Sequence, residues 1–150
     1  MSIEQRLKDL NIELPAPVRP IATYVRHVRT GNLLYISGTG PTASAPVGKL
    51  GQDLTIEQGY AVAREVGLQV IATIKDALDG DLDRVTRMVK ILGMVNSAPD
   101  FGDQPNVING CSDLMVEVFG EAGRHTRSAV GMGALPGGIA VEIECTVEVS

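Results

Sequence analysis

The chain is poor in the residues on which several functions rest. Of its 150 residues 3% are aromatic and none is Trp, so the core must be aliphatic and no row of rings is evident for stacking bases. It has two His and two Cys, with no HExxH, no CxxC and no Cys/His cluster, which argues against a metal centre. Cys111 and Cys145 fall on the apolar sides of an expected helix and of the last expected strand, and read as small buried hydrophobes. Positive charge is short too. Thirteen Lys and Arg against 18 Asp and Glu leave a net charge of −5, where a nucleic-acid binder usually carries a basic stripe. Arg26, His27 and Arg29 make the only compact basic group outside the C-terminal region, and a solvated strand face accounts for them at least as well as a phosphate site. No apolar run is long enough to span a bilayer and no basic-then-apolar leader opens the sequence, so a cytoplasmic location with reduced thiols and no membrane partner is the expectation.

What is present is a soluble globular composition, 44% hydrophobic and 21% charged, and a length that suits one ordinary domain. Residues 1–16 read as an N-terminal helical extension and 17–150 as the domain proper. Ile3, Leu7 and Leu10 share one side of a short helix, and Pro15, Pro17 and Pro20 then impose an extended connection. This extension is expected to pack on its own domain or on a neighbouring subunit. Thr23–Arg29 and Leu33–Ser37 read as strands joined by the Thr30-Gly31-Asn32 turn, followed by a loop rich in small residues with a brief strand near Val47.

Thr55 with Gln58 has the form of a capping box. Beyond it Ile56, Tyr60, Ala63, Gly67, Val70, Ile71, Ile74 and Leu78 keep the spacing of one helical stripe, which Gly80 closes. Val85–Val95 alternates as a strand, with Met88 and Leu92 on the less buried side. A second helix is expected over Gln104–Phe119, with Asp103 as N-cap and Pro105 in its first turn. Gly110 in that helix costs about 1 kcal/mol against Ala, a sign that something approaches its backbone closely. The final strand is the cleanest: Ile139, Val141, Ile143, Cys145, Val147 and Val149 face the core, and Glu142, Glu144 and Glu148 lie opposite. The order gives an α+β domain, a mixed sheet with two long helices packed on one face. Tyr35, Met88, Leu92, Met94 and Met132 then leave the second face too apolar for comfortable exposure, which points to self-association.

The C-terminal residues carry the chemistry. Arg127-Ser-Ala-Val opens one short strand, Leu135-Pro-Gly-Gly reverses the chain, and Glu142 lies on the returning strand. If these two strands pair, a planar guanidinium fork meets a carboxylate able to move protons or hold a water, a combination suited to a small carboxylic acid. His125 titrates near neutrality but stands at a loop end, where a His is usually just solvated, and is left out of the catalytic set. Arg124 is read as added positive potential.

These residues, in order, resemble the YjgF/RidA family, also called endoribonuclease L-PSP, whose domain has the chorismate-mutase-like fold. The resemblance covers roughly Pro17–Ser150: Pro20-Ile-Ala-Thr-Tyr24, Gly31-Asn-Leu-Leu-Tyr-Ile-Ser-Gly38, Gly80-Asp-Leu-Asp-Arg-Val85, Arg127-Ser-Ala-Val130, Leu135-Pro136 and Val141-Glu-Ile-Glu144. It implies a homotrimer with clefts between subunits, no cofactor and no metal. The implied activity is hydrolytic deamination of 2-enamino or 2-imino acids, such as 2-aminoacrylate, to 2-keto acids and ammonia. By motif position Arg127 would grip the substrate carboxylate and Glu142 would orient or activate water. Tyr24, Ser37, Gly38, Thr39, Asn109, Ser128 and Ala129 would line the substrate-binding cleft. Many deaminating members have Cys where this chain has Ala129, and often Glu where it has Gly131. That places it nearer a longer branch with the Arg-Ser-Ala-Val motif. A non-catalytic trimer that binds small carboxylates or aromatic metabolites is the alternative, and a ribonuclease fits the composition less well.

Overall fold

A computed structural model describes residues 1–150. Helix α1 (Ile3–Asp9) is followed by strands β1 (His27–Thr30) and β2 (Leu33–Thr39), helix α2 (Ile56–Ala77), strand β3 (Val85–Asn96), helix α3 (Gln104–Phe119), and strands β4 (Thr126–Met132) and β5 (Val141–Val149). The five strands form one mixed sheet in the order β1-β2-β5-β3-β4, in which β4 runs parallel to β3 and every other pair is antiparallel. Helices α2 and α3 pack together over one face, and the aliphatic core lies between them and the sheet. The α+β expectation holds, as do both long helices.

Local chemistry sets the helix limits. Thr55 and Gln58 form the full capping box at the start of α2. Its end is closed by Asp79 and Gly80, both at positive φ, with the Gly80 amide bonded to the Lys75 carbonyl. Asp103 stands at the N-cap of α3 without capping it: its backbone is not extended, and its carboxylate accepts from the Asn106 side chain instead. Gly110 is where α3 meets α2 most closely, because a Cβ there would run into the Tyr60 carbonyl of α2. The suspected close approach is thus helix against helix.

Three expectations are corrected. First, β4 and β5 do not pair: β3 lies between them, bonded parallel to β4 and antiparallel to β5. Second, Met88 is fully buried in the core and does not belong to the bare face. The β3–β5 register slips between Met88 and Lys90, so three steps on β3 oppose two on β5, and Met88 pairs with Val147 while Ile91 pairs with Cys145. Third, β1 begins only at His27, and Arg26 is 8% exposed rather than solvated. Its guanidinium donates to the Gly38 carbonyl and to Thr39 Oγ1 (2.7 Å), pulling the chain out of the strand. Val47, expected as a brief strand, makes a single bridge to Ile139.

The extension packs on its own domain. The Ile3 amide donates to Asp83, the Arg6 side chain donates to the Glu117 carbonyl of α3, and Glu4 pairs with Lys75 of α2 at 2.7 Å. The second sheet face has no cover. Val28 and Tyr35 are about half exposed, and Leu92, Met94, Val130 and Met132 continue the same apolar surface across the sheet. No helix is long and apolar enough to cross a membrane.

Candidate functional site

Strand pairing decides where the two signature residues point. Arg127 stands in register with Ile91, which pairs with Cys145, so all three side chains share the helix-covered face. Glu142 stands in register with Met94, which pairs with Val130, on the bare face. One chain therefore does not bring Arg127 and Glu142 together. Each is the centre of its own group of polar residues, on opposite sides of the sheet.

The Arg127 group lies where edge strand β4 passes under α3. Arg127 Nη1 donates to Asn109 Oδ1 (2.8 Å) and to Ser112 Oγ (3.1 Å), one helical turn apart on α3. It forms no ion pair, and no protein acceptor takes its Nε or Nη2. A guanidinium anchored on two neutral oxygens, with its two-pronged edge open, is set to receive a carboxylate. Ala129 follows on the same face, half-buried against the core, whereas Ser128 projects from the opposite, bare face.

His125 closes this group. Its Nδ1 lies 2.7 Å from the Gly123 carbonyl, which can only accept, so Nδ1 carries the proton and Nε2 is left to accept from the Ser112 hydroxyl at 2.9 Å. Burial pushes the His125 imidazole below its ordinary value; the Gly123 hydrogen bond opposes this and the Arg127 charge adds to it. Asn109, Ser112, Asp113, Arg124, His125 and Arg127 line an open cavity of about 290 Å³. Arg124 contributes less than expected, because it is well exposed and paired with Glu121 at 3.1 Å.

The Glu142 group lies on a bulge. The β2–β5 register shifts between Ile36 and Thr39, which brings Gly38 under the Glu142 side chain. A Cβ at Gly38 would overlap Glu142 Oε2, so glycine leaves room for the carboxylate. Glu142 itself is half-buried and has no hydrogen-bond or ion-pair partner in the chain. Arg26 underpins the loop: beyond its bonds to Gly38 and Thr39, it sits 5.9 Å from the centre of the Tyr24 ring and 3.5 Å from the Tyr24 hydroxyl. Ser37 Oγ donates to the Val25 carbonyl, and buried Thr39 donates to the Ser37 carbonyl, so Thr39 holds the loop from below.

The expected residues thus divide into Arg127, Asn109 and Ala129 on one side, and Glu142, Tyr24, Ser37, Gly38 and Ser128 on the other, with Thr39 buried beneath the bulge. Three further polar residues join these groups: Ser112, which the sequence analysis did not single out, and His125 and Arg26, which it read as solvated. Ser112 had a signal, since it follows Asn109 by three residues in a helix and must share its face. Arg26 had none, because its burial depends on the bulge in β2. Neither cysteine belongs to the site. Both are buried, and burial pushes Cys111 up to about 12 and Cys145 higher still.

Comparison with known proteins agrees with the fold. Residues 4–141 match a family described as "YjgF/chorismate_mutase-like, putative endoribonuclease". Protein TCP17 of Trypanosoma cruzi is 45% identical over 152 residues, covering 99% of this chain and 94% of that protein. A crystal structure of a protein of unknown function from Agrobacterium tumefaciens superposes with a TM-score of 0.91 at 42% identity, over 99% of this chain and 92% of the other. A Shewanella oneidensis protein carrying the same endoribonuclease label superposes with a TM-score of 0.93 at 31% identity, over 99% of this chain and all of the other. In sequence and in overall fold alike, this chain belongs to the YjgF/RidA, chorismate-mutase-like family.

Proposed function

We propose that the protein hydrolyses 2-imino and 2-enamino acids to 2-keto acids and ammonia, in a cleft that joins the Arg127 group of one copy to the Glu142 group of another, within a homotrimer. The observation that carries the reading is a half-buried guanidinium with no acidic partner. Evolving such a cation on neutral oxygens leaves its charge available to a ligand, where a structural arginine would be neutralised by its neighbours. Each charged hydrogen bond to a bound carboxylate contributes about 1.5–3 kcal/mol, and two suffice to hold a small acid. Clamping that carboxylate fixes the adjacent C2, the carbon that water must attack. Glu142, unpartnered over Gly38, then serves as the group that orients this water for attack. The buried thiols take no part, and the reaction needs no nucleophilic sulfur.

The test is a coupled assay in which a PLP-dependent dehydratase generates 2-aminoacrylate and keto-acid formation is followed. Wild-type protein is expected to accelerate it. Arg127→Ala should lose both acceleration and pyruvate binding, while Glu142→Gln should bind pyruvate without turnover. Wild-type protein that binds pyruvate through Arg127 yet leaves the rate unchanged would make the cleft a carboxylate-binding module and sink the enzyme reading.

A further inference from the structure

The Arg127 group contains more than a clamp. Four hydrogen-bonding groups run in one direction through it: Arg127 Nη1 donates to Ser112 Oγ, Ser112 to His125 Nε2, and His125 Nδ1 to the Gly123 carbonyl. We propose that Ser112 and His125 form the proton carrier on this side of the cleft, with the Ser112 hydroxyl touching the substrate and His125 acting behind it as base. This rests on the hydrolytic reading above.

The arrangement has the parts such a carrier requires: a hydroxyl, a base within hydrogen-bond reach of it, and a third group that fixes the tautomer of the base. Arg127 adds a positive charge on the hydroxyl oxygen, which favours release of its proton. Because C2 of a 2-imino acid is bonded to the carboxylate that Arg127 holds, a hydroxyl on the same guanidinium stands beside the reacting carbon. Ser112 thereby supplies, from α3, a hydroxyl oxygen on the side of the cleft where the chain has only the methyl of Ala129 on β4.

The step balances as follows. Water adds to C2 of the protonated iminium, and the C=N pair moves to nitrogen. The proton released by water passes to Ser112 Oγ as the Ser112 proton passes to His125 Nε2. It then returns by the same route to the amino group of the carbinolamine. The C–N bond breaks, and the remaining hydroxyl proton leaves with the ammonia as ammonium, giving the 2-keto acid. The base form of His125 is required, so turnover must fall as pH drops through its titration. Burial places that titration below the ordinary 6.5. The charged groups facing His125 are Asp113 on α3, Arg127 on β4 and Arg124 beside it.

The experiment uses the same coupled assay with wild type, Ser112→Ala and His125→Gln, together with pyruvate calorimetry on each. Gln preserves an acceptor for Ser112 but does not titrate, so it separates proton carriage from mere support. The expected result is pyruvate affinity within about twofold of wild type for both variants. Turnover should be lower by about 10²-fold, and His125→Gln should lose the acid limb of the kcat profile. Full kcat with an unchanged acid limb in both variants, in an active wild type, would overturn the assignment alone. A Ser112→Ala loss that lies wholly in pyruvate affinity would also overturn it, leaving Ser112 as a prop for Arg127. An inactive wild type would instead remove the hydrolytic reading, and this step with it.

Discussion

Arg127 and Glu142 are separated by 15 residues and by the thickness of a β-sheet, and their surroundings differ as much as their charges. Arg127 is gripped. Its Nη1 is bonded twice to α3, and α3 is held against α2 by backbone contact at Gly110 and by the Arg64–Glu117 pair at 2.9 Å. Glu142 is given room. Its carboxylate lies over a glycine on a bulge, with no bond restraining it. The guanidinium is therefore tied to the helix layer, whereas the carboxylate reaches from the central strand over a bulge in β2. A site that must hold a carboxylate still while moving a proton is well served by that division.

The strongest way to break this comparison is to supply the two halves on different chains. Arg127→Ala and Glu142→Gln are each expected to be inactive, but co-refolding them together should restore keto-acid formation, because some clefts then receive one intact half from each chain. Activity that stays absent in the mixture, with both variants folded and assembled, would mean that the halves do not share a cleft.

Two glycines sharpen the same contrast. Gly110→Ala forces α3 away from α2 and should cost about 1–3 kcal/mol in denaturant melts, weakening pyruvate binding through the neighbouring Asn109. Gly38→Ala meets only the far end of the Glu142 side chain, so the melting temperature should hold while turnover drops about tenfold and pyruvate affinity stays. Equal destabilisation by both would show that the Glu142 group is no freer than the Arg127 group.

The smallest effect concerns the thiols. With both raised to about 12 or beyond and both buried, Cys111 and Cys145 stay protonated at pH 8. Native protein should therefore show no reaction with Ellman's reagent over minutes, and two thiols per chain after unfolding. Fast labelling of Cys111 in the native state would place a reactive sulfur one residue from Ser112 and blur the contrast drawn here.

The helices were legible in the sequence because their signals are local: the Thr55–Gln58 box, the apolar stripe of α2, and a costly Gly110 that needed a neighbour. The face of β5 was legible from strict alternation. What stayed hidden was non-local. Leu135-Pro136-Gly137-Gly138 announces a reversal but says nothing of which strand lies beside β5, and the parallel insertion of β3 leaves no local mark. One extra residue at Val89 moved Met88 from the bare face to the core, since the pleat has a period of two. The candidate residues were found as individuals, and their separation into two groups appeared only with strand order.

The opposite placement of Arg127 and Glu142 also has a consequence for how activity scales. No rotamer change or loop motion within one chain carries a side chain through its own sheet, so a lone chain cannot complete the cleft. Under the proposed hydrolytic reading, specific activity should then obey mass action, falling on dilution as assembled copies come apart and rising again as they reassociate. A cleft divided in this way, if it works as proposed, would report its own abundance.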